Sequence, residues 1–168
     1  LAPQAASPRI ETMVAAYKAA YQAIRANAGP EAAPFYPGMR ALVEALAARD
    51  DVLLGVATGK SRRGLTALLD GHGLQRAFVT TQTADDHPSK PHPAMLHAAL
   101  SETGVAARDA VMIGDTVYDI DMAHAAGIRA IGVGWGYHDA AALAGADTVA
   151  QDAAALRQAL DTMIGATA

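Results

Sequence analysis

The sequence predicts an α/β protein built on a parallel, doubly wound sheet with helices on both faces, and three observations carry that prediction. From residue 38 onward, short apolar runs alternate with segments whose apolar residues recur every three or four positions, the pattern of repeated strand-helix units. The strand runs are apolar on consecutive positions, as strands buried on both faces are. Glycine, proline and short polar residues fall where those helices must start or stop. A chain of 168 residues with 52% hydrophobic content is long and apolar enough to bury a substantial core.

Taken in order, Ser7-Pro8 reads as an N-cap followed by proline in the first turn, and Ile10, Met13, Val14, Tyr17, Tyr21 and Ile24 mark one face of the helix that follows. Asn27-Ala28-Gly29-Pro30 stops it, and a proline-rich passage over residues 30–37 separates it from a different unit. In that unit Met39, Leu42, Val43 and Leu46 predict a helix, and Val52-Leu53-Leu54-Gly55-Val56-Ala57 a buried strand. Leu65, Leu68 and Leu69 predict the next helix, ended by Gly71-His72-Gly73. A short strand at 78–80 and a polar loop over 81–92 follow, and Pro93 opens a helix that Gly104 closes. The remaining elements are a strand at Val111, a helix over 119–126, a strand over 128–133, a short strand near Thr148-Val149 and a helix ending near Ile164.

Composition excludes several classes. No apolar run approaches the roughly 20 residues that span a bilayer, and Leu-Ala-Pro-Gln does not begin a signal peptide, so the expectation is a soluble protein with no membrane partner. The absence of cysteine removes disulfides and thiolate metal sites and is compatible with the cytoplasm. With a net charge of −4 and only Arg62-Arg63 as a basic pair, nucleic acid is not an expected partner. The histidines, 72, 87, 92, 97, 124 and 138, lack metal-ligand spacing and read as surface or loop residues. Oligomeric state leaves no trace in the sequence.

The chemistry-bearing stretch is Val111-Met112-Ile113-Gly114-Asp115-Thr116-Val117-Tyr118-Asp119, a buried strand that ends in glycine and then presents two carboxylates four residues apart. Magnesium is commonly held by one or two carboxylates together with phosphate oxygens and water, which suits Asp115 and Asp119. The same pair also suits a helix start in which Asp115 caps and Asp119 faces the dipole, without any metal. Thr58 and Gly59, at the end of the strand starting at Val52, offer a hydroxyl and backbone N–H groups for an anion. Lys90 sits in Ser89-Lys90-Pro91-His92-Pro93, where prolines restrict its backbone. A hydroxyl, an ammonium and two carboxylates at one sheet edge make a phosphate site with a metal. Two look-alikes fail: Gly55 to Ser61 has three rather than four residues between its glycines for a P-loop, and Gly132-Val133-Gly134-Trp135-Gly136 lacks the dinucleotide spacing. Trp135, Tyr137 and His138 follow a strand and read as core or rim, with a minor place at a substrate edge.

The order Thr58, Lys90 before a proline, then Gly114-Asp115-x-x-x-Asp119 resembles the second, third and fourth motifs of the haloacid dehalogenase-like hydrolases, in their phosphoglycolate-phosphatase-like branch. That resemblance implies a Rossmann-like three-layer core over residues 35–168, with residues 1–34 as the C-terminal part of a helical cap. It implies a magnesium-dependent phosphatase acting on a small phosphorylated metabolite. Thr58 and the Gly59 N–H would bind the phosphoryl group, Lys90 would neutralise it and orient the nucleophile, and Asp115 with Asp119 would hold Mg2+, the latter directly or through water.

One departure stands beside the match. The family attacks phosphorus with the first aspartate of an Asp-x-Asp at the end of its first strand, forming an aspartyl-phosphate, whereas the only such pair here, Asp119-Ile120-Asp121, opens a helix. The expectation is a chain that begins, at Leu1, after that strand and the first part of the cap. The missing strand belongs between those ending at Thr58 and Asp115, so two inner edges would be left open. A phosphomutase of the same superfamily and a noncatalytic phosphate- or metal-binding module are the alternatives; a dehalogenase is disfavoured because it needs no metal pair.

Overall fold

The computed structural model describes residues 34–165. The helix expected from Ser7 and nearly all of the cap expected over residues 1–34 lie outside them. The elements are α1 (Met39–Ala47), β1 (Gly55–Thr58), α2 (Arg62–His72), β2 (Thr80–Thr83), α3 (Ala94–Thr103), a 3-10 turn (Ala107–Asp109), β3 (Val111–Gly114), α4 (Val117–Ala125), β4 (Arg129–Val133), β5 (Thr148–Ala150) and α5 (Ala153–Gly165).

All strand pairing is parallel, as the alternation predicts. β1 pairs with β2 from Gly55 opposite Thr80 to Thr58 opposite Thr83. β4 lies between β3 and β5, with Ile113 opposite Ile131 and Ile131 opposite Thr148. Among the described residues β1 and β3 are not paired with each other, so the strands form two sheets of two and three strands. That break falls where the resemblance put an absent strand.

The core explains why the strand runs are apolar at consecutive positions. Successive residues of β4 face opposite layers: Ala130 joins Met95, Ile120, Met122 and Leu143, while Ile131 joins Leu42, Leu46, Leu156 and Leu160. Helices α3 and α4 therefore cover one face and α1 and α5 the other, the three-layer arrangement. Met95, Met122, Ile131 and Leu156 are fully buried, and each such side chain contributes roughly 1.5–3 kcal/mol through its removal from water. β3 is only half-buried up to Gly114, because its edge away from β4 carries no described strand.

Three boundaries differ from expectation. β1 begins at Gly55, not Val52; pairing starts where the Val79 N–H donates to the Leu54 carbonyl at 2.9 Å, and Leu53 is half-exposed. β2 covers Thr80–Thr83, displacing the expected strand at 78–80 and the first part of the loop. Its sequence, Thr-Thr-Gln-Thr, reads as polar loop, yet threonine suits a pleated strand and hydrogen bonds satisfy the buried polar atoms.

The third difference is the start of α4. Thr116, not Asp115, is the N-cap: its hydroxyl accepts from the Asp119 N–H while the Asp119 carboxylate accepts from the Thr116 N–H, a reciprocal capping box. Asp115 is thereby released from helix duty, and the helix begins at Val117, two residues early. Among the described residues no helix is long and apolar enough to cross a membrane.

Loss of this cap should be measurable. Thr116→Ala is expected to cost about 1 kcal/mol, within the usual range for N-cap removal, and Thr116→Ser to recover most of it. Urea unfolding of the three proteins checks the order; equal midpoints for threonine and alanine would show that the hydroxyl is not stabilising the helix.

Candidate active site

The site is assembled by an ammonium group. Lys90, in the loop after β2, reaches back so that Nζ donates to the Ala57 carbonyl of β1 at 2.9 Å and to Asp119 Oδ1 at 2.6 Å. One side chain thus ties the end of the β1–β2 sheet to the helix that follows β3. An ammonium has three donors, so one remains for a further acceptor. The pair is largely sequestered, with side chains 21% exposed for Lys90 and 5% for Asp119.

Asp119 is occupied on both oxygens. Oδ1 takes Lys90, and Oδ2 accepts from the Thr116 hydroxyl at 2.7 Å and the Thr116 N–H at 3.1 Å. Gly114 makes this possible: a Cβ there would lie 2.1 Å from the Asp119 Cβ, so only glycine lets the first turn of α4 close over the strand end.

Asp115 is held differently. Its Oδ2 accepts from the Tyr137 N–H at 2.9 Å, and its carbonyl accepts from the His138 N–H at 3.0 Å. The His138 Nδ1 accepts from the Val117 N–H at 3.2 Å, so the loop after β4 grips both Asp115 and the start of α4. A Cβ on Gly136 would stand 2.1 Å from the Asp115 Cβ, which makes glycine a condition of that grip. Among the described residues nothing hydrogen-bonds Asp115 Oδ1.

Between these groups opens a cavity of about 330 Å³, lined by Gly59, Ala84, Ser89, Lys90, Asp115, Thr116, Tyr118 and Asp119. The structure therefore brings together four of the five residues expected from sequence. Thr58 is not in the wall; it stands one residue before Gly59, its Oγ1 accepting from the Lys60 N–H at 3.2 Å, which leaves the hydroxyl proton free to donate. Nothing within 4 Å would meet a Cβ on Gly59, so its backbone faces open space.

Sequence reasoning missed Ser89, Thr116 and Tyr118 as lining residues, and the role of the Gly136-Tyr137-His138 backbone. Ser89 and Thr116 are adjacent to residues that were singled out, which was the available signal. The backbone role had none, since N–H groups carry no side-chain signature.

The donor set can be tested against a cation. Among the described residues no three or more histidine, aspartate or glutamate side chains gather as a ligand cluster, so they offer no complete protein cage. Magnesium does not require one, because it retains water and shares phosphate oxygens. Asp115, with one oxygen held and the other open to the cavity, fits a single-carboxylate ligand of that kind.

A model of the haloacid dehalogenase-like hydrolases matches residues 3–133, a span that contains Thr58, Lys90, Asp115 and Asp119. A phosphoglycolate phosphatase of Rhodospirillum rubrum is 40% identical over 126 residues, which cover 74% of this chain and 52% of that protein. Among solved structures, one assigned as a phosphoglycolate phosphatase from Lactobacillus plantarum superposes with a TM-score of 0.72 at 27% identity, covering 84% of this chain and 68% of that one. One assigned as a beta-phosphoglucomutase from Thermotoga maritima gives 0.67 at 25% identity, covering 75% and 60%. The chain spans about half the length of that curated relative. Because the matched span takes in well over half of the chain and the whole of the cavity-forming turn at Gly114, this chain belongs to the haloacid dehalogenase-like hydrolases.

Proposed function

We propose that the protein containing this chain is a magnesium-dependent phosphatase that hydrolyses a small phosphate monoester, phosphoglycolate-like in size, through an aspartyl-phosphate. The observation that carries this reading is Lys90, part-buried and bonded to Asp119 and Ala57 with a donor to spare at a cavity that also holds Asp115. An anchored ammonium beside an open carboxylate accommodates a dianion and its counter-cation together.

In this reading the phosphoryl group enters beside Gly59, where the backbone N–H and the Thr58 hydroxyl donate to its oxygens. Lys90 neutralises charge on the phosphoryl oxygens and aligns the attacking carboxylate, and Asp119 keeps the ammonium aimed. Asp115, with Asp119 through water, would hold Mg2+, which when bound supplies Lewis-acid stabilisation of the charge on phosphorus oxygens. The Tyr137 and His138 amides keep Asp115 turned toward the cavity. Asp119 is committed on both oxygens by hydrogen bonds, and the open oxygen of Asp115 is given to the metal in this reading, so the nucleophile is assigned to a carboxylate beyond the described residues. Residues 1–34 as cap and 35–168 as core complete the proposal, with a small phosphorylated metabolite and a cytoplasmic setting. The likeness to a structure assigned as a beta-phosphoglucomutase supports a mutase as second reading, and product analysis separates the two: free phosphate for hydrolysis, an isomeric monoester for the mutase.

Activity of the intact protein should respond as follows. Asp115→Asn is expected to lower turnover at least about a hundredfold, the scale of losing one electrostatic stabiliser. Steady-state assays with an aryl phosphate at saturating magnesium check this, and full activity in a folded variant would remove Asp115 from the metal.

Lys90→Met should abolish turnover and also destabilise, because it strands a buried carboxylate; losing one partner of a buried pair costs up to about 3–5 kcal/mol. The double variant Lys90→Met, Asp119→Asn is expected to regain stability without regaining activity. Melting curves of both proteins isolate the stability effect, and the rate of Lys90→Met measured well below its own melting temperature decides whether Lys90 serves chemistry or only the fold.

The 168-residue chain alone is expected to show no useful turnover, since removing a nucleophile costs on the order of a millionfold in a protease precedent. Comparable rates for this chain and a longer protein, both folded by circular dichroism, would place the nucleophile within it, with Asp121 the first residue to replace.

A further inference from the structure

A polar chain, buried at Thr80 and Gln82, runs along β2 outside the cavity. The Thr80 hydroxyl donates to Glu102 Oε2 near the end of α3, Gln82 Nε2 donates to Thr80 Oγ1 at 2.8 Å, and Gln82 Oε1 lies 2.7 Å from His87 Nε2. Thr80 is 5% and Gln82 3% exposed, positions where apolar residues would fill the layer without any bond to satisfy.

The direction of this chain follows from its far end. The bond from Thr80, with the Gln82 amide close by, holds the Glu102 carboxyl below its usual range, so it is ionised and accepts only. Thr80 must then donate to it and accept from the Gln82 amide, which turns the Gln82 carbonyl toward His87. His87 must carry its proton on Nε2. From His87 the chain reaches Lys90 through Pro88 and Ser89, and proline fixes its own φ, so orientation set at His87 carries toward the ammonium. Other bonds fasten the loop ahead of His87: the Arg62 N–H donates to Asp85 at 2.8 Å, the Ala84 N–H to the Lys60 carbonyl at 3.2 Å and the Thr83 hydroxyl to Asp86 at 3.0 Å. The Arg62 to Asp86 pair at 2.7 Å is solvent-exposed, and exposed pairs contribute little.

We infer that Glu102, Thr80 and Gln82 form a one-way hydrogen-bond chain whose task is to hold His87, and with it the loop that presents Lys90 to the cavity. Gln82 and His87 are positioning residues. The effect on turnover rests on the phosphatase reading; the hold on the loop does not.

The test is Gln82→Met in the intact protein, a substitution of similar length that breaks both bonds, beside Glu102→Gln, which keeps an acceptor for Thr80. Imidazole 15N spectra of wild type should show His87 protonated on Nε2. Gln82→Met should yield mixed tautomers, faster amide exchange over residues 84–92, and kcat for an aryl phosphate lowered roughly ten- to hundredfold at similar KM, as small misplacements of catalytic groups do. Glu102→Gln, no longer an acceptor only, should shift the tautomer and exchange in the same direction but by less, since its carbonyl still accepts from Thr80. Unchanged tautomer and exchange in a folded Gln82→Met protein overturn the proposal whatever the rates. Loosened exchange with unchanged kcat overturns its part in turnover. A wild type without phosphatase activity tells against the proposed function alone, because the spectra and exchange still decide the hold on the loop.

Discussion

The candidate site depends on one constraint, the anchoring of the part-buried Lys90 ammonium between a β1 carbonyl and the buried Asp119 carboxylate. A buried charge is tolerated only when paired and hydrogen-bonded, and here both conditions are met by groups from different parts of the sheet. Among the described residues β1 and β3 share no backbone pairing, so this side chain is a direct polar tie across the break between the two sheets. The same contacts that stabilise it also hold it at the cavity wall.

The two carboxylates of the Gly114-Asp115-x-x-x-Asp119 turn are divided by their surroundings rather than by their chemistry. Asp119 is turned inward by the capping box and saturated by Thr116 and Lys90. Asp115, one residue before the cap, is turned outward and held by two amides of the loop after β4. Four residues of separation on a strand-to-helix turn thus yield one carboxylate that orients a cation of the protein and one that is open to the cavity. Two glycines set the distances, since a methyl group at Gly114 or Gly136 would overlap Asp119 or Asp115.

Polar β2 shows the same economy of packing in reverse. A strand of threonines and glutamine survives in a buried layer because each polar atom finds a partner: Thr80 with Glu102, Gln82 with Thr80 and His87, and Thr81 with Arg62. Such a network restricts the strand to one register and one set of side-chain orientations, which an apolar surface would not. The loop carrying Lys90 starts from that restricted strand.

The sequence by itself determined the layer order. Periodicity, terminating glycines and consecutive apolar strand residues depend on local backbone geometry and on burial from two sides, both of which are written residue by residue, so β4 and β5 fell within a residue or two of expectation and α5 near its expected end. That Lys90, Gly59, Asp115 and Asp119 gather at one cavity was also legible, because each lies at or just after the end of a strand of the same parallel sheet pattern. What only the tertiary structure decided is how those residues are used. That Asp119 pairs with Lys90, that Tyr137 and His138 amides hold Asp115, and that Thr-Thr-Gln-Thr is a buried strand all arise from contacts between positions from 5 to 29 apart. Backbone donors have no side-chain identity to read, and a polar strand is indistinguishable from a loop until its partners are in place.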